Sequence, residues 1–172
     1  DIYEAYTIKE ASKILKDKPH LRIIAGGTDV LVKIREGKMA DTELLSIQLI
    51  DELREIEILD NGDIKIGALN TFTHIADNKI IKDHIPQLGQ AVLTAGGPQL
   101  RNAATIGGNV CNAAPSADAA PILFTLEAVV EIVSLDEIRY MDIKDFYIGL
   151  GQVDLREGCL LYTSPSPRDL ST

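Results

Sequence analysis

Hydrophobic spacing at the start of the chain changes from helical to strand-like. Thr7-Ile8-Lys9-Glu10 has the form of a capping box, and the apolar positions after it share one helical face. This pattern predicts a helix over residues 8–16. The apolar run Leu21–Ala25 then predicts a short buried strand, which stops at the pair Gly26-Gly27.

A second helix and a second strand follow the glycine pair. Apolar residues from Val30 onward have helical spacing, and Gly37 is placed to cap the end of that helix. Residues 44–50 form another apolar strand candidate. We therefore predict that residues 1–53 are an N-terminal α/β lobe.

The strongest hairpin signal in the chain opens the next lobe. Two apolar runs, Ile56–Leu59 and Ile64–Gly67, flank a turn that contains Asn61-Gly62. An Asn-Gly pair between alternating strands is typical of a two-stranded hairpin. We predict a second, α+β lobe over residues 54–158.

Helices and strands are also expected farther along this second lobe. Helices are predicted around residues 74–77 and 86–93, and another one is expected to open at Asp118 and run to about Leu126. Val129–Val133 is a strand candidate. Residues 159–172 end in a stretch rich in Ser, Pro and Thr without apolar periodicity, so we expect a disordered tail.

Composition indicates a globular protein and argues against several classes of partner. Of the 172 residues, 45% are hydrophobic and 25% are charged, and the net charge is -9. An acidic chain is a poor candidate for binding nucleic acid, because that binding requires many cationic contacts. No apolar run is long enough for a membrane span, and no signal peptide is visible, so a cytoplasmic location is expected.

Side chains that carry chemistry are sparse. Cys111 and Cys159 have no metal-ligand spacing, so no metal site is predicted and any metal centre is expected on another chain. Cys111 as a nucleophile is the alternative to a small buried residue. His20, His74 and His84 are scattered among polar neighbours, and no catalytic residue is predicted. The chain instead has the features of a protein that holds a cofactor.

Two glycine-rich segments are the candidates for that cofactor site: Ala25–Asp29 and Thr94–Asn109. Paired glycines allow positive φ and let a ligand approach the main chain, so that consecutive N–H groups can converge on an anion. Thr28, Thr105 and Asn109 add short polar side chains. A single Gly-Gly pair is more often a simple turn, but two such segments favour a ligand site. Neither segment has the fingerprint of a Rossmann dinucleotide site or of a P-loop.

Three charged residues near these segments allow more than one interpretation. Asp29 and Asp118 are each placed to cap a helix, and each could also contact a ligand. A carboxylate beside a pyrophosphate is repelled, so Asp118 would face hydroxyl groups or an amine. Arg101 is equally suited to phosphate or to a structural ion pair, and it is left out of the predicted site.

The two segments together resemble the FAD-binding subunits of the molybdenum hydroxylases, the family of xanthine, carbon monoxide and nicotinate dehydrogenases. The resemblance covers about residues 3–158. It rests on four motifs at the family's separation: Ala25-Gly-Gly-Thr-Asp29, Gln99-Leu-Arg-Asn102, Thr105-Ile-Gly-Gly-Asn109 and Ala114-Pro-Ser-Ala-Asp118.

The resemblance implies an α+β, two-lobed FAD-binding fold of the vanillyl-alcohol-oxidase-like (PCMH) type, with FAD between the lobes. It places the first and third motifs around the pyrophosphate and Asp118 at the nucleotide part of FAD. The cofactor-binding residues that it implies are Ile24, Ala25, Gly26, Gly27, Thr28, Asp29, Thr105, Ile106, Gly107, Gly108, Asn109 and Asp118.

In this family, electrons pass from a molybdopterin centre on a large subunit through two [2Fe-2S] clusters on a small subunit to FAD, and then to NAD+ or another acceptor. The resemblance therefore implies an electron-transfer flavoprotein subunit that is inactive on organic substrate by itself. Residues 159–172 depart from the family pattern, and the family's C-terminal domain does not follow. The alternatives are a cofactor-free scaffold or assembly fragment of such a complex and, with less support, a standalone flavin oxidase.

Overall fold

The computed structural model describes residues 1–114 and 117–164. Its helices are short, and a 3-10 helix covers Asp51–Arg54. The α-helices are α1 (Ile8–Asp17), α2 (Val30–Arg35), α3 (Phe72–Asp77), α4 (Lys79–His84), α5 (Pro86–Leu93), α6 (Pro98–Ala103), α7 (Ile106–Asn112), α8 (Ala120–Thr125) and α9 (Ile143–Phe146).

Ten strands form three sheets within this described part of the chain. They are β1 (Ile2–Glu4), β2 (Arg22–Ile24), β3 (Leu44–Ser46), β4 (Ile56–Ile58), β5 (Ile64–Gly67), β6 (Val129–Val133), β7 (Ile138–Asp142), β8 (Tyr147–Gly149), β9 (Gln152–Val153) and β10 (Leu160–Ser164). The parallel sheet has the order β1-β3-β2, the antiparallel sheet has the order β4-β5-β10-β6-β7, and β8 pairs with β9.

Local sequence signals explain the first helix and the first hairpin. The Thr7 hydroxyl accepts a hydrogen bond from the Glu10 amide at 3.1 Å, which caps α1 as predicted. Gly62 has φ +86 in the turn between β4 and β5, a conformation that glycine adopts without strain. Both predictions are confirmed.

The strand predicted over residues 44–50 is shorter than expected. β3 ends at Ser46, because the chain turns at that point and the Ile50 amide donates to the carbonyl of Ile47 at 3.1 Å. Ile47 and Ile50 are both buried. Burial in a turn therefore produced the apolar run that looked like an extended strand.

Two hydrophobic clusters form the core. One cluster packs α1 and the parallel sheet together with Leu53, Leu69 and Leu160. The larger cluster packs the helices of the second half against one face of the antiparallel sheet. The separate boundary predicted between residues 53 and 54 stays a prediction.

The expected disorder from residue 159 is wrong for residues 159–164. β10 lies in the middle of the antiparallel sheet, between β5 and β6. Leu160 faces the first cluster and Leu161 faces the larger one, because successive side chains of a strand point to opposite faces. The burial of these two leucines offsets the polar composition that suggested a tail. The rest of the predicted tail lies outside the described residues.

The central position of β10 yields a test. Leu161 is 4% exposed, so Leu161→Ala removes a buried side chain and should lower the free energy of unfolding by about 2–4 kcal/mol. Leu150→Ala is the matched control, because Leu150 is 82% exposed. Urea denaturation followed by circular dichroism measures both changes. Equal stability of the two variants would contradict a packed central strand.

Candidate functional site

The first glycine segment is a strand-to-helix turn. β2 ends at Ile24, and α2 begins at Val30. Gly27 lies between them with φ +75, and a Cβ there would approach the Leu31 side chain to 2.9 Å. Glycine at this position is therefore favoured by the backbone conformation, and a larger residue would also require the Leu31 side chain to move.

Backbone amides in this turn have no partner within the described residues. No hydrogen bond there uses the N–H groups of Gly26, Gly27, Thr28 or Asp29 as donors. All four residues are partly exposed, so the turn lies at the surface of the protein. A row of unpaired N–H groups between a strand and a helix is suited to binding an anion.

The second glycine segment is organised differently from the loop expected from its sequence. It contains α6 and the start of α7, which Thr105 caps by accepting a hydrogen bond from Gly108 at 3.1 Å. The first four amides of α7 all have partners in the protein. They donate to Asn70 O (Ile106), Ala68 O (Gly107), Thr105 Oγ1 (Gly108) and Thr105 O (Asn109).

A ligand can therefore reach only part of the second segment. Thr105, Ile106 and Gly107 are buried, whereas Gly108 is exposed and Asn109 is half-buried. Because the amides of Ile106–Asn109 are already paired, this stretch offers a fixed surface rather than a row of free donors.

The structure brings the two glycine segments together. A Cβ at Gly26 would lie 1.7 Å from the carbonyl oxygen of Ala103, the last residue of α6, two residues before Thr105. Within Thr105–Asn109, a Cβ at Gly107 would lie 2.6 Å from the Cβ of Ala68. Two positions without side chains thus set the spacing between the first turn, the second segment and the end of β5.

Asp118 follows the second glycine segment in the sequence but does not cap a helix. α8 begins at Ala120 with Ala119 at its N-cap, so the predicted helix starts later than Asp118. The Asn109 side chain accepts a hydrogen bond from the Ala119 amide at 3.4 Å. This contact connects the second glycine segment to the half-buried Asp118, while residues 115 and 116 lie outside the described residues.

Lys33 is a contributor that the sequence analysis missed. Its ammonium group lies 2.6 Å from the Asp29 carboxylate and donates to Asn112 Oδ1 at 3.3 Å. It therefore connects α2 to the end of α7. The i, i+4 spacing of Asp29 and Lys33 on a helix was a signal that could have identified it. Asp29, the N-cap residue of α2, makes no side-chain capping bond.

Other candidate side chains have structural roles. Arg101 donates to the carbonyl oxygens of Leu93, Ala95 and Gly96, so its guanidinium is already used within the protein. Burial raises the pKa of Cys111 to about 12, which keeps its thiol protonated and argues against a nucleophile.

Searches for metal clusters and membrane spans give negative results for residues 1–114 and 117–164. No group of three or more His, Cys, Asp or Glu side chains in these ranges could hold a metal ion. No helix within them is long and apolar enough to cross a bilayer.

Comparison with known proteins identifies the family. The sequence profile described as "FAD binding domain in molybdopterin dehydrogenase" matches residues 1–164, which includes β10. The family match therefore extends beyond residue 158, the limit expected from the motifs.

The chain is 35% identical over 170 residues to the putative xanthine dehydrogenase FAD-binding subunit XdhB of Escherichia coli K12, covering 97% of this chain and 58% of that protein. It is 36% identical over 154 residues to the nicotinate dehydrogenase FAD-subunit of Eubacterium barkeri, covering 88% of this chain and 51% of that protein.

Solved structures show the same fold. The match to quinoline 2-oxidoreductase from Pseudomonas putida 86 has a TM-score of 0.92 at 25% identity, and it covers 98% of this chain and 59% of that one. A Cu,Mo-CO dehydrogenase chain matches with a TM-score of 0.91 at 24% identity, over 97% of this chain and 58% of that one. The present chain thus spans just over half the length of these relatives.

These findings confirm the α+β FAD-binding fold and the resemblance stated from the motifs. FAD is the cofactor that the description of the family names. The chain belongs to the family of FAD-binding domains in molybdopterin dehydrogenases.

Proposed function

We propose that this chain binds FAD as the flavin-carrying part of an electron-transfer subunit in a molybdopterin-dependent dehydrogenase. The observation that carries the proposal is the row of unpaired amides at Gly26–Asp29, held against the second glycine segment through Gly26 and Ala103. The residues assigned to FAD are Ile24, Ala25, Gly26, Gly27, Thr28, Asp29, Thr105, Ile106, Gly107, Gly108, Asn109 and Asp118.

The first turn fits the diphosphate of FAD. A net charge of -9 opposes any anion, so local donors must outweigh the overall field. The partly exposed amides of Gly26–Asp29 supply those donors without a bulky side chain in the way. The Lys33 ammonium adds positive charge beside Asp29, and its contact with Asn112 keeps it in place.

The second segment has a different role in this proposal. The amides of Ile106–Asn109 are paired within the protein, so this segment contributes shape through the exposed Gly108 and the half-buried Asn109. Phosphate repels a carboxylate, so Asp118 is assigned to hydroxyl or amino groups of the nucleotide. Asn109 positions the backbone beside Asp118 through the Ala119 amide.

The chain has few reactive side chains, so its proposed role is to hold the flavin while partner subunits supply the electrons. When bound, FAD accepts electrons one at a time and delivers them as a pair to an acceptor such as NAD+. The chain's residues bind and orient the flavin. Molybdopterin on a large subunit and [2Fe-2S] clusters on a small subunit are the proposed electron donors, and the chain alone is proposed to be inactive on organic substrate.

The names of the relatives support a finer assignment. XdhB is described as a putative xanthine dehydrogenase subunit, and the Eubacterium barkeri relative as a nicotinate dehydrogenase subunit. We assign a substrate of this heterocyclic kind to the complex. A cytoplasmic location and lobes divided near residue 54 are also part of the proposal. Cys111 and Cys159 are free thiols, which agrees with a reducing compartment.

Titration of the purified chain with FAD tests the proposal directly. We expect saturable binding of about one FAD per chain, because both segments meet at one place. Visible absorption after desalting, together with fluorescence titration, measures the stoichiometry and the Kd. A folded chain that stays colourless in excess FAD would contradict flavin binding and favour the cofactor-free fragment.

Replacement of Gly26 tests the contact between the segments. In Gly26→Ala, the new methyl group would overlap the Ala103 carbonyl oxygen, so the first turn must shift. We expect the free energy of unfolding to fall by about 1–3 kcal/mol and FAD binding to weaken at least about tenfold. Gly97→Ala is the control, because a Cβ there meets nothing closer than Gln99 Oε1 at 3.6 Å. Equal FAD affinity of the two variants would refute the spacing argument.

Replacement of Gly108 separates binding from folding. Gly108 is exposed, and a Cβ there would contact only Thr105 Oγ1, at 3.0 Å. Gly108→Leu should therefore change the free energy of unfolding by less than about 1 kcal/mol but weaken FAD binding at least about tenfold. Gln90→Leu, at an exposed position of α5, adds the same side chain as a control. Unchanged FAD affinity in Gly108→Leu would remove the second segment from the site.

A further inference from the structure

Asn70 is a fully buried amide outside the residues assigned to FAD. It lies between β5 and α3, and none of its surface is exposed. Burial of a polar side chain costs free energy unless hydrogen bonds replace those to water. The contacts of Asn70 therefore indicate why an amide is kept in the core.

The Asn70 side chain joins two strands. Its Nδ2 donates to the carbonyl oxygen of Glu55 at 3.2 Å and to that of Gly67 at 2.9 Å. Glu55 precedes β4, and Gly67 ends β5. Oδ1 is buried and accepts no hydrogen bond in the described part of the chain, so the residue retains a cost that an apolar one would avoid. The value of the amide lies in its two donors.

The Asn70 backbone holds the start of α7. Its carbonyl oxygen accepts the hydrogen bond of the Ile106 amide at 3.0 Å. Ala68 accepts the Gly107 amide at 2.9 Å, and the Phe72 amide donates to Ala104 at 3.0 Å. Residues 68–72 and 104–107 are therefore joined by a row of backbone hydrogen bonds, here called the seam. The Asn70 side chain ties one side of this seam to Glu55 and Gly67.

The seam acts on the contact between the glycine segments. Backbone hydrogen bonds join Ala104 and Ile106 to residues 68–72. Ala103, the residue before Ala104, packs against Gly26. Gly107 also packs directly against Ala68, where an added Cβ would lie 2.6 Å from the Ala68 Cβ. Residues 68–72 are therefore in direct contact with the stretch of the second segment that follows Ala103.

We infer that Asn70 is a positioning residue for the flavin site: its amide fixes the backbone that holds Ile106 and thereby sets the spacing of the two glycine segments. The inference rests on the proposed function. Asn70 acts through Ile106 and is not assigned a contact with FAD.

Two substitutions remove the donors. Asn70→Asp keeps the shape of the side chain, and Asn70→Ala removes it without adding charge. Folding should survive in the alanine variant, because Glu55 O still accepts the Gly67 amide and Gly67 O still accepts the Asn70 amide. We expect the Kd for FAD to rise at least about fivefold in both variants, since each loses two hydrogen bonds.

Amide hydrogen exchange in the FAD-free protein gives a local readout. NMR of the unaltered chain and of both variants should show faster exchange at Ile106 and Gly107 than the loss of global stability explains. Ile81→Ala is the control, because Ile81 is a fully buried residue of α4 that belongs to the same core. It should lower stability while leaving FAD affinity and the Ile106 amide unchanged.

The outcomes separate the two proposals. Absence of FAD binding by the unaltered chain would overturn the proposed function, and this inference with it. FAD binding by the unaltered chain, with wild-type affinity or wild-type exchange at Ile106 in the Asn70 variants, would overturn the inference alone. Weakened binding and faster exchange in both Asn70 variants, with neither in Ile81→Ala, would support it.

Discussion

The close approach of Gly26 to the Ala103 carbonyl is the constraint on which the candidate site depends. Any side chain at Gly26 would overlap that oxygen, so the turn after β2 can touch the end of α6 only with glycine there. The contact joins residues 77 positions apart and brings the first turn against the end of α6, next to Ala104. Glycine here provides proximity, whereas at Gly27 it provides a positive φ.

Charge places a second requirement on the same region. An acidic protein that binds an anionic dinucleotide cannot rely on its overall field, and the Lys33 ammonium beside the first turn is already paired with Asp29. Backbone dipoles remain. They are fixed by the fold and cost no side-chain entropy to order, so they can bind an anion without raising the net charge.

The sequence allowed prediction of the elements whose signals are local. The Thr7 capping box, the Asn61-Gly62 hairpin and the strand Val129–Val133 needed no knowledge of distant contacts, and all are present. β10 was missed, because its place depends on partners almost a hundred residues away in β5, and its Ser- and Thr-rich end has no apolar alternation. α7 was missed because its two glycines and two asparagines disfavour helix unless tertiary contacts hold the ends, and α6 was missed because it is only six residues long and directly follows Gly96-Gly97.

The same difference between local and distant contacts explains why the sequence predicted only part of the site. The motifs located both segments. They could not show that the first amides of α7 donate to acceptors within the protein, whereas the amides of Gly26–Asp29 have no acceptor there. That asymmetry is set by Ala68 and Asn70, which belong to neither motif and pair with α7 only in the folded chain. The paired amides of Ile106–Asn109 fix this stretch before any ligand arrives, and a preorganised surface lowers the entropy lost on binding. The unpaired amides of Gly26–Asp29 supply the attraction for an anion, so each glycine segment meets a requirement that the other does not.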